Sequence, residues 1–175
     1  MPNKKPSIPL FSILIIIAIV VIDQISKFWV VHKLNLFELG KIEISKFFDL
    51  TMVWNYGVSF GALRANSDIG RWALVGLAFV ISLFFLYWLW RAERPLNRFA
   101  LAMVIGGAIG NMIDRIYLGA VADFLDFSGL FFPWVFNLAD AAVVGGAGLL
   151  ILDMLTSKDE VDVAKSEILP NNNVE

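Results

Sequence analysis

Asp123 and Asp140 each stand in an apolar stretch with no basic residue within one helical turn. Two carboxyls brought close together cannot both ionise cheaply, so such a pair shares one proton. The ionised member takes a proton from an attacking water while the protonated member donates to a carbonyl oxygen, which is amide hydrolysis by an acid dyad. The pair titrates as a unit, so the sequence assigns no separate role to either acid. Other hydrolytic arrangements lack their residues: there is no cysteine, His32 is the single histidine, and no His–Glu cluster is present to hold zinc. Asn111 precedes Asp114 by three positions and Asn137 precedes Asp140 by three, so an amide sits one turn before an acid in both places, where it can orient the carboxyl. The other ionisable groups have a plainer reading as structural ion pairs. Asp23 and Lys27, at i and i+4, can pair with each other. Asp114 and Arg115 are adjacent and cannot face each other, but either can pair with another helix.

The elements that must position these residues are apolar. Of 175 residues, 58% are hydrophobic and 17% charged, with mean hydropathy +0.72. Soluble domains average roughly 45–50% apolar. The excess lies in four runs, about 8–31, 72–90, 99–118 and 134–153, each near the roughly 20 residues that cross a bilayer. An α-helical polytopic membrane protein with four transmembrane helices follows, residues 1–155 forming one membrane-embedded domain and 156–175 a polar, disordered tail. A cleaved signal peptide is the competing reading of the first run, since Lys4 and Lys5 precede it, but no small-x-small cleavage site follows. Net charge is −2, which offers nothing to a nucleic acid.

Between the first two helices, residues 33–70 alternate apolar and polar at Lys41–Ile44 and Leu50–Trp54, predicting short strands of a small extramembrane sheet, punctuated by Gly57 and Gly61. The third connection, Gly119 to Pro133, is read as an apolar outer loop carrying Asp123 and an exposed neighbour, Asp126. Its aromatics, Phe124, Phe127, Phe131, Phe132 and Trp134, suit either an interfacial belt or a cover for substrate. Lys4, Lys5, Arg91, Arg94 and Arg98 crowd the N-terminus and the short second loop, which puts both termini in the cytoplasm. The first loop also carries Lys33, Lys41, Lys46 and Arg64, balanced by Glu38, Glu43, Asp49 and Asp68. On that topology Asp23, Lys27, Asn111, Asp114, Arg115, Asp123, Asn137 and Asp140 all fall near the outer interface, and Asp153 alone faces cytoplasmic water at the other end. Ionisable groups at membrane depth cost about 2.5–3.5 kcal/mol each on insertion scales, so they pair, line a cavity or do chemistry. A proton-coupled transporter is the alternative, but it would spread acids through the bilayer, and the second helix has no polar residue except Ser82. A membrane scaffold explains small-xxx-small packing at Gly106/Gly110 and Ala142/Gly146 but not the gathering of acids.

At these residues the chain resembles the lipoprotein signal peptidases (signal peptidase II). The matching blocks are Asp23-Gln-x-x-Lys27, Asn55-Tyr-Gly-Val-Ser-Phe60, Gly106-Gly-Ala-Ile-Gly-Asn-Met-Ile-Asp-Arg115, Gly119-x-Val-x-Asp-Phe124 and Phe136-Asn-Leu-Ala-Asp140, in the family's order over about residues 10–155. The resemblance implies an aspartic endopeptidase of the bacterial inner membrane, with four helices, cytoplasmic termini and a substrate-cradling sheet. It implies cleavage of prolipoproteins just before a diacylglyceryl-modified cysteine, inhibition by globomycin-type cyclic peptides, and contact with membrane lipids, with no metal or cofactor. The family's catalytic aspartates fall on Asp123 and Asp140, and its supporting or substrate-binding positions on Asp23, Lys27, Asn55, Asn111, Asp114, Arg115 and Asn137.

Overall fold

The structure, a computed structural model, describes residues 7–57 and 68–168, with side chains described as far as Thr156. Lys4, Lys5, the Val58–Phe60 part of the second block, Gly61 and Arg64 lie outside the described residues.

Four long helices dominate: α1 (Leu10–Phe28), then, after the short α2 (Leu36–Leu39), α3 (Asp68–Arg91), α4 (Pro95–Tyr117) and α5 (Leu138–Ile168). All four are long and apolar enough to cross a membrane, α1 together with a π-helical turn, Trp29–Lys33, that closes it. α4 is the least apolar, with mean hydropathy 1.4 against 2.2 for α1 and α3, and it is the most buried. It is the central helix, packed on α1, α3 and α5. A helix wrapped by protein rather than lipid tolerates polar residues and favours small ones. Pro95 starts it at a position where no backbone donor is lost.

The small-residue pattern divides between two neighbours. Gly106 faces α1, where a Cβ would meet Ile19 Cβ at 3.0 Å. Gly107 lies against the Ala139 carbonyl of α5, and Gly110 against both, with Asp23 Oδ2 at 2.7 Å and Ala139 Cβ at 3.3 Å from a built Cβ. From the other side Gly146 lets α5 approach the Ala100 carbonyl of α4, 2.7 Å from a built Cβ. These contacts seat α4 between α1 and α5 at backbone distance.

At one end of the bundle lies a four-stranded antiparallel sheet in the order β1 (Lys41–Glu43), β2 (Asp49–Asn55), β3 (Val121–Asp126), β4 (Val135–Phe136). β1 and β2 come from the first connection, where the alternation places them. β3 and β4 come from the third connection, expected as a loop. Their apolar run lacks the alternation that marks a half-exposed strand, because β3 is buried almost throughout. Phe124 packs with Val30 and Leu36 beneath the sheet, so the sheet sits on the end of α1 and on α2. α5 begins at Leu138 rather than near residue 134, because Val135 and Phe136 pair with Asp126 and Leu125 of β3. At its far end α5 is helical to Ile168, past the expected boundary near 156.

At the opposite end of the bundle Asp153 is 4% exposed rather than solvated. Arg94 approaches it at 3.3 Å and Asn97 Nδ2 donates to Oδ2 at 3.0 Å. The basic α3–α4 loop therefore clasps α5.

The close approach of α4 and α5 is testable. Gly107→Ala is expected to destabilise by about 1–3 kcal/mol as an overpacked contact, seen as a lower melting temperature in detergent. Gly76→Ala on α3, with nothing within 4 Å of the new methyl, is expected to leave melting unchanged or slightly raised.

Candidate active site

The site grows from a buried ammonium. Asp23 and Lys27, one turn apart on α1, are 0% and 3% exposed. Lys27 Nζ lies 2.9 Å from Asp23 Oδ2 and 2.9 Å from Asp114 Oδ2 on α4. It also donates to Asn111 Oδ1 at 3.1 Å, which occupies the three donors an ammonium has. The anticipated i, i+4 pair is thus one side of a triad, and Asp114 finds its cation across the α1–α4 contact. Two carboxylates on one ammonium leave excess negative charge, met by neutral donors. The Ala139 N–H donates to Asp23 Oδ1 at 2.9 Å, the Ala122 N–H to Asp114 Oδ2 at 3.1 Å, and Gln24 Nε2 to Asp114 Oδ1 at 2.9 Å. Gln24 had no role assigned from sequence. Its signal was an amide interrupting an apolar membrane helix.

Asn111 carries the order of this triad to Asp140. Its Oδ1 receives both Lys27 and Asn137 Nδ2, the latter at 3.2 Å, which fixes the amide so that Nδ2 donates to Asp140 Oδ1 at 2.7 Å. Spacing alone suggested that Asn111 would hold Asp114, its neighbour one turn away. It reaches across to α5 instead, because Asp114 is already saturated by Lys27, Gln24 and Ala122.

Asn137 and Asp140 open α5 as a reciprocal cap. Asn137 Oδ1 accepts the Asp140 N–H at 2.9 Å and Asp140 Oδ2 accepts the Asn137 N–H at 3.4 Å. A carboxylate in the first turn is also favoured by the helix dipole. The Asn137 amide turns outward from the cap, and its Nδ2 donates to Asp123 Oδ1 at 2.6 Å. One asparagine therefore contacts both acids.

Asp123 projects from β3 opposite Val53 and is 2% exposed. Its second oxygen accepts Asn55 Nδ2 at 3.0 Å. The Asn55 amide is fixed by the Gly57 N–H, which donates to Oδ1 at 2.8 Å, and Gly57 turns at φ 101 to make that bond. Burial pushes the Asp123 carboxyl from 3.8 up to about 6, against the Asn55 hydrogen bond and with help from the negative charge of Asp140. Arg115 lies in the field of Asp140, Asp123 and Asp114. Its Nη1 donates to the Asn111 carbonyl at 3.3 Å, and its buried Nε has no hydrogen-bond partner among the described residues. All nine residues singled out from the sequence thus converge at the sheet end of the bundle. Asp126 does not join them. It is 7% exposed rather than open, accepts Thr51 Oγ1 at 2.7 Å and the Ser128 N–H at 2.9 Å, and the Thr51 bond holds its carboxyl below the ordinary value.

Four spanning helices under a small sheet, with carboxylates meeting between them, define a polytopic membrane protein with a polar site at one bilayer face. Two solved bacterial membrane enzymes share the architecture. One has a TM-score of 0.76 at 25% identity, over 89% of this chain and 94% of that one; the other has 0.73 at 28%, over 86% and 96%. The profile of the Signal peptidase (SPase) II family matches residues 15–156, and the chain belongs to that family. It is 47% identical over 140 residues to a lipoprotein signal peptidase of Beijerinckia indica, covering 79% of this chain and 84% of that one. It is 45% identical over 141 residues to one of Caulobacter vibrioides, covering 80% and 83%.

Removing the ammonium tests the triad. Lys27→Met is expected to destabilise by about 3–5 kcal/mol, because it strands two buried carboxylates. Adding Asp114→Asn should restore part of the loss in thermal melts. Unchanged melting of Lys27→Met would show that the ammonium does not organise the site.

Proposed function

We propose that this protein is an aspartic endopeptidase that removes signal peptides from prolipoproteins, cutting just before the diacylglyceryl-modified cysteine. In this reading it lies in the bacterial inner membrane with both termini cytoplasmic, and the sheet and the acids lie at the periplasmic face. The observation that carries the reading is the pair Asp123 and Asp140, on a strand and a helix cap, bridged by Asn137 and coupled by charge. Membership of the signal peptidase II family supports the substrate class.

The chemistry follows from a shared proton. With one carboxyl ionised and the other protonated, a water between them loses a proton to the first as its oxygen attacks the scissile carbonyl carbon, and the second protonates the carbonyl oxygen. Collapse of the tetrahedral intermediate returns that proton to the carboxyl and breaks the C–N bond. The leaving amine takes the other proton, and the shared-proton state is restored. Asn55, Asn111 and Asn137 hold the acids without adding a charge that would disturb this balance. Lys27, itself held by Asp23 and Asp114, holds Asn111, which in turn holds Asn137, and Arg115 is placed to bind substrate backbone. The signal peptide's apolar segment enters from the membrane, and the acyl chains stay in the outer leaflet. Globomycin-type cyclic peptides are expected to compete for the same space.

Purified protein in lipid nanodiscs, given a lipidated prolipoprotein, is expected to release the signal peptide with the lipidated cysteine as the new N-terminus, read by mass spectrometry. Asp123→Asn and Asp140→Asn should each lower kcat by more than the roughly 10²–10⁴-fold of a single acid–base group, with melting within a few degrees of wild type. Retained cleavage by either variant would remove that acid from the dyad.

A second outcome concerns pH. The Asp123 carboxyl rises from 3.8 to about 6 in the folded chain, so the folded state holds its proton more tightly than the unfolded state does. That contribution is fully present below about pH 4 and is lost as pH rises through about 6, up to about 3 kcal/mol in all. Asp123→Asn lacks it. The melting temperature of wild type minus that of Asp123→Asn should therefore be larger at pH 4 than at pH 8. A difference independent of pH would show that Asp123 titrates normally.

A further inference from the structure

The connection between β3 and β4 has no part in the hydrogen-bonded site, and its composition is unusual for a turn. Ser128 to Trp134 are all exposed, and no residue from Phe127 to Phe136 is ionisable. Phe131 is 100% exposed, Trp134 65% and Leu130 55%. Phe131 also has φ 62, a left-handed backbone that bulky side chains rarely adopt and that glycine would hold without strain. The fold does not need this residue. A polar turn residue or glycine would connect the strands more cheaply in water. A strained backbone that turns an aromatic ring wholly away from the protein points to something outside the protein.

The neighbouring turn adds to the same surface. Gly129 lies against the Lys46 carbonyl, with Phe47 Cα at 3.0 Å from a built Cβ, and the Phe48 and Phe127 rings are 4.9 Å apart. Ile44 and Phe47, each 56% exposed, thereby join Leu130 and Phe131 at one tip of the sheet. From this tip a row of rings leads back toward the bundle. Trp134 meets Phe132 at 5.3 Å, and Phe132 meets Phe136 at 5.8 Å. Phe136 immediately precedes Asn137, the cap of the spanning helix α5.

We infer that this tip inserts into the lipid leaflet on the sheet side and anchors the sheet at a fixed depth. Lipid is the occupant that the geometry favours. The rings are continuous with the first turn of a spanning helix, so they stand at bilayer-surface height. The Phe127–Phe136 part of the tip is uncharged and carries Trp and Phe, residues suited to that zone. Lys46, a cation within the tip, is exposed and can run its aliphatic stem along the rings while its ammonium meets lipid phosphate. β3 carries both Asp123 and the tip, so the anchor also sets the height of that acid relative to the acyl chains. The inference rests on the four-span architecture and not on the peptidase reading, and its test needs no turnover.

The chain has no cysteine, so Phe131→Cys and Leu130→Cys each give one labelling site, and the exposure of both side chains makes misfolding unexpected. Each variant carries a nitroxide and is placed in lipid nanodiscs. The expected result is that oxygen, which partitions into lipid, relaxes both labels more than a water-soluble nickel chelate does. Relaxation dominated by the chelate would put the tip in water and overturn the inference. A label shielded from both reagents would place the tip against protein, a second copy included, and would overturn it as well.

Discussion

One buried ammonium organises this molecule. Lys27 bonds to Asp23 on its own helix and to Asp114 on α4. Asp23 Oδ1 then accepts the Ala139 N–H at the start of α5, and Asp114 Oδ2, the oxygen that meets Lys27, also accepts the Ala122 N–H on β3. Two spanning helices, the start of a third and a strand are thus tied at a single point. A salt bridge at membrane depth is weak evidence of stability, because desolvating the charges offsets much of their attraction. What it adds is a penalty on any register of these elements that would leave the buried ammonium unpaired. The glycines serve the same end. Gly110 is bare because Asp23 Oδ2 occupies the place its side chain would take.

The candidate dyad inherits its geometry from that point through neutral groups. Asn111 is fixed by Lys27, and Asn137 is fixed by Asn111 and by its role as helix cap. Amides can hold carboxyls at 2.6–2.7 Å without contributing a net charge. A lysine or arginine at either place would favour the doubly ionised state of such a pair. The cation is therefore kept one residue behind the acids, and its ordering effect reaches them while its charge is largely neutralised by Asp23 and Asp114.

Much of this was legible in the sequence because membranes make polar residues informative. In an apolar helix the placement of Asp23, Lys27, Asn111 and Asp114 is costly, so each marks the site almost unaided. Partners were harder to read. Three-residue spacing pairs Asn111 with Asp114, yet three-dimensional saturation of Asp114 sends Asn111 to Asp140. The strands of the first connection showed through their alternation, whereas β3 did not, since both of its faces are covered and Val121–Asp126 shows no alternation of apolar and polar residues. Asp126 and Asp153 were expected to face water because they lie near connections. In both cases a side chain from a separate segment, Thr51 or Arg94, covers them.

Placing one acid on a strand and the other on a helix cap has a mechanical consequence. Asp140 moves with α5, whose depth is set by the apolar length of the helix in the bilayer. Asp123 moves with the sheet, which touches the bundle through Phe124, Val30 and Leu36 and through the Asp114–Ala122 bond. Dividing them puts the space between them where sheet and helix meet. The Asn137 amide, donating to Asp123 while capping the helix of Asp140, ties strand and helix together where β4 runs into α5.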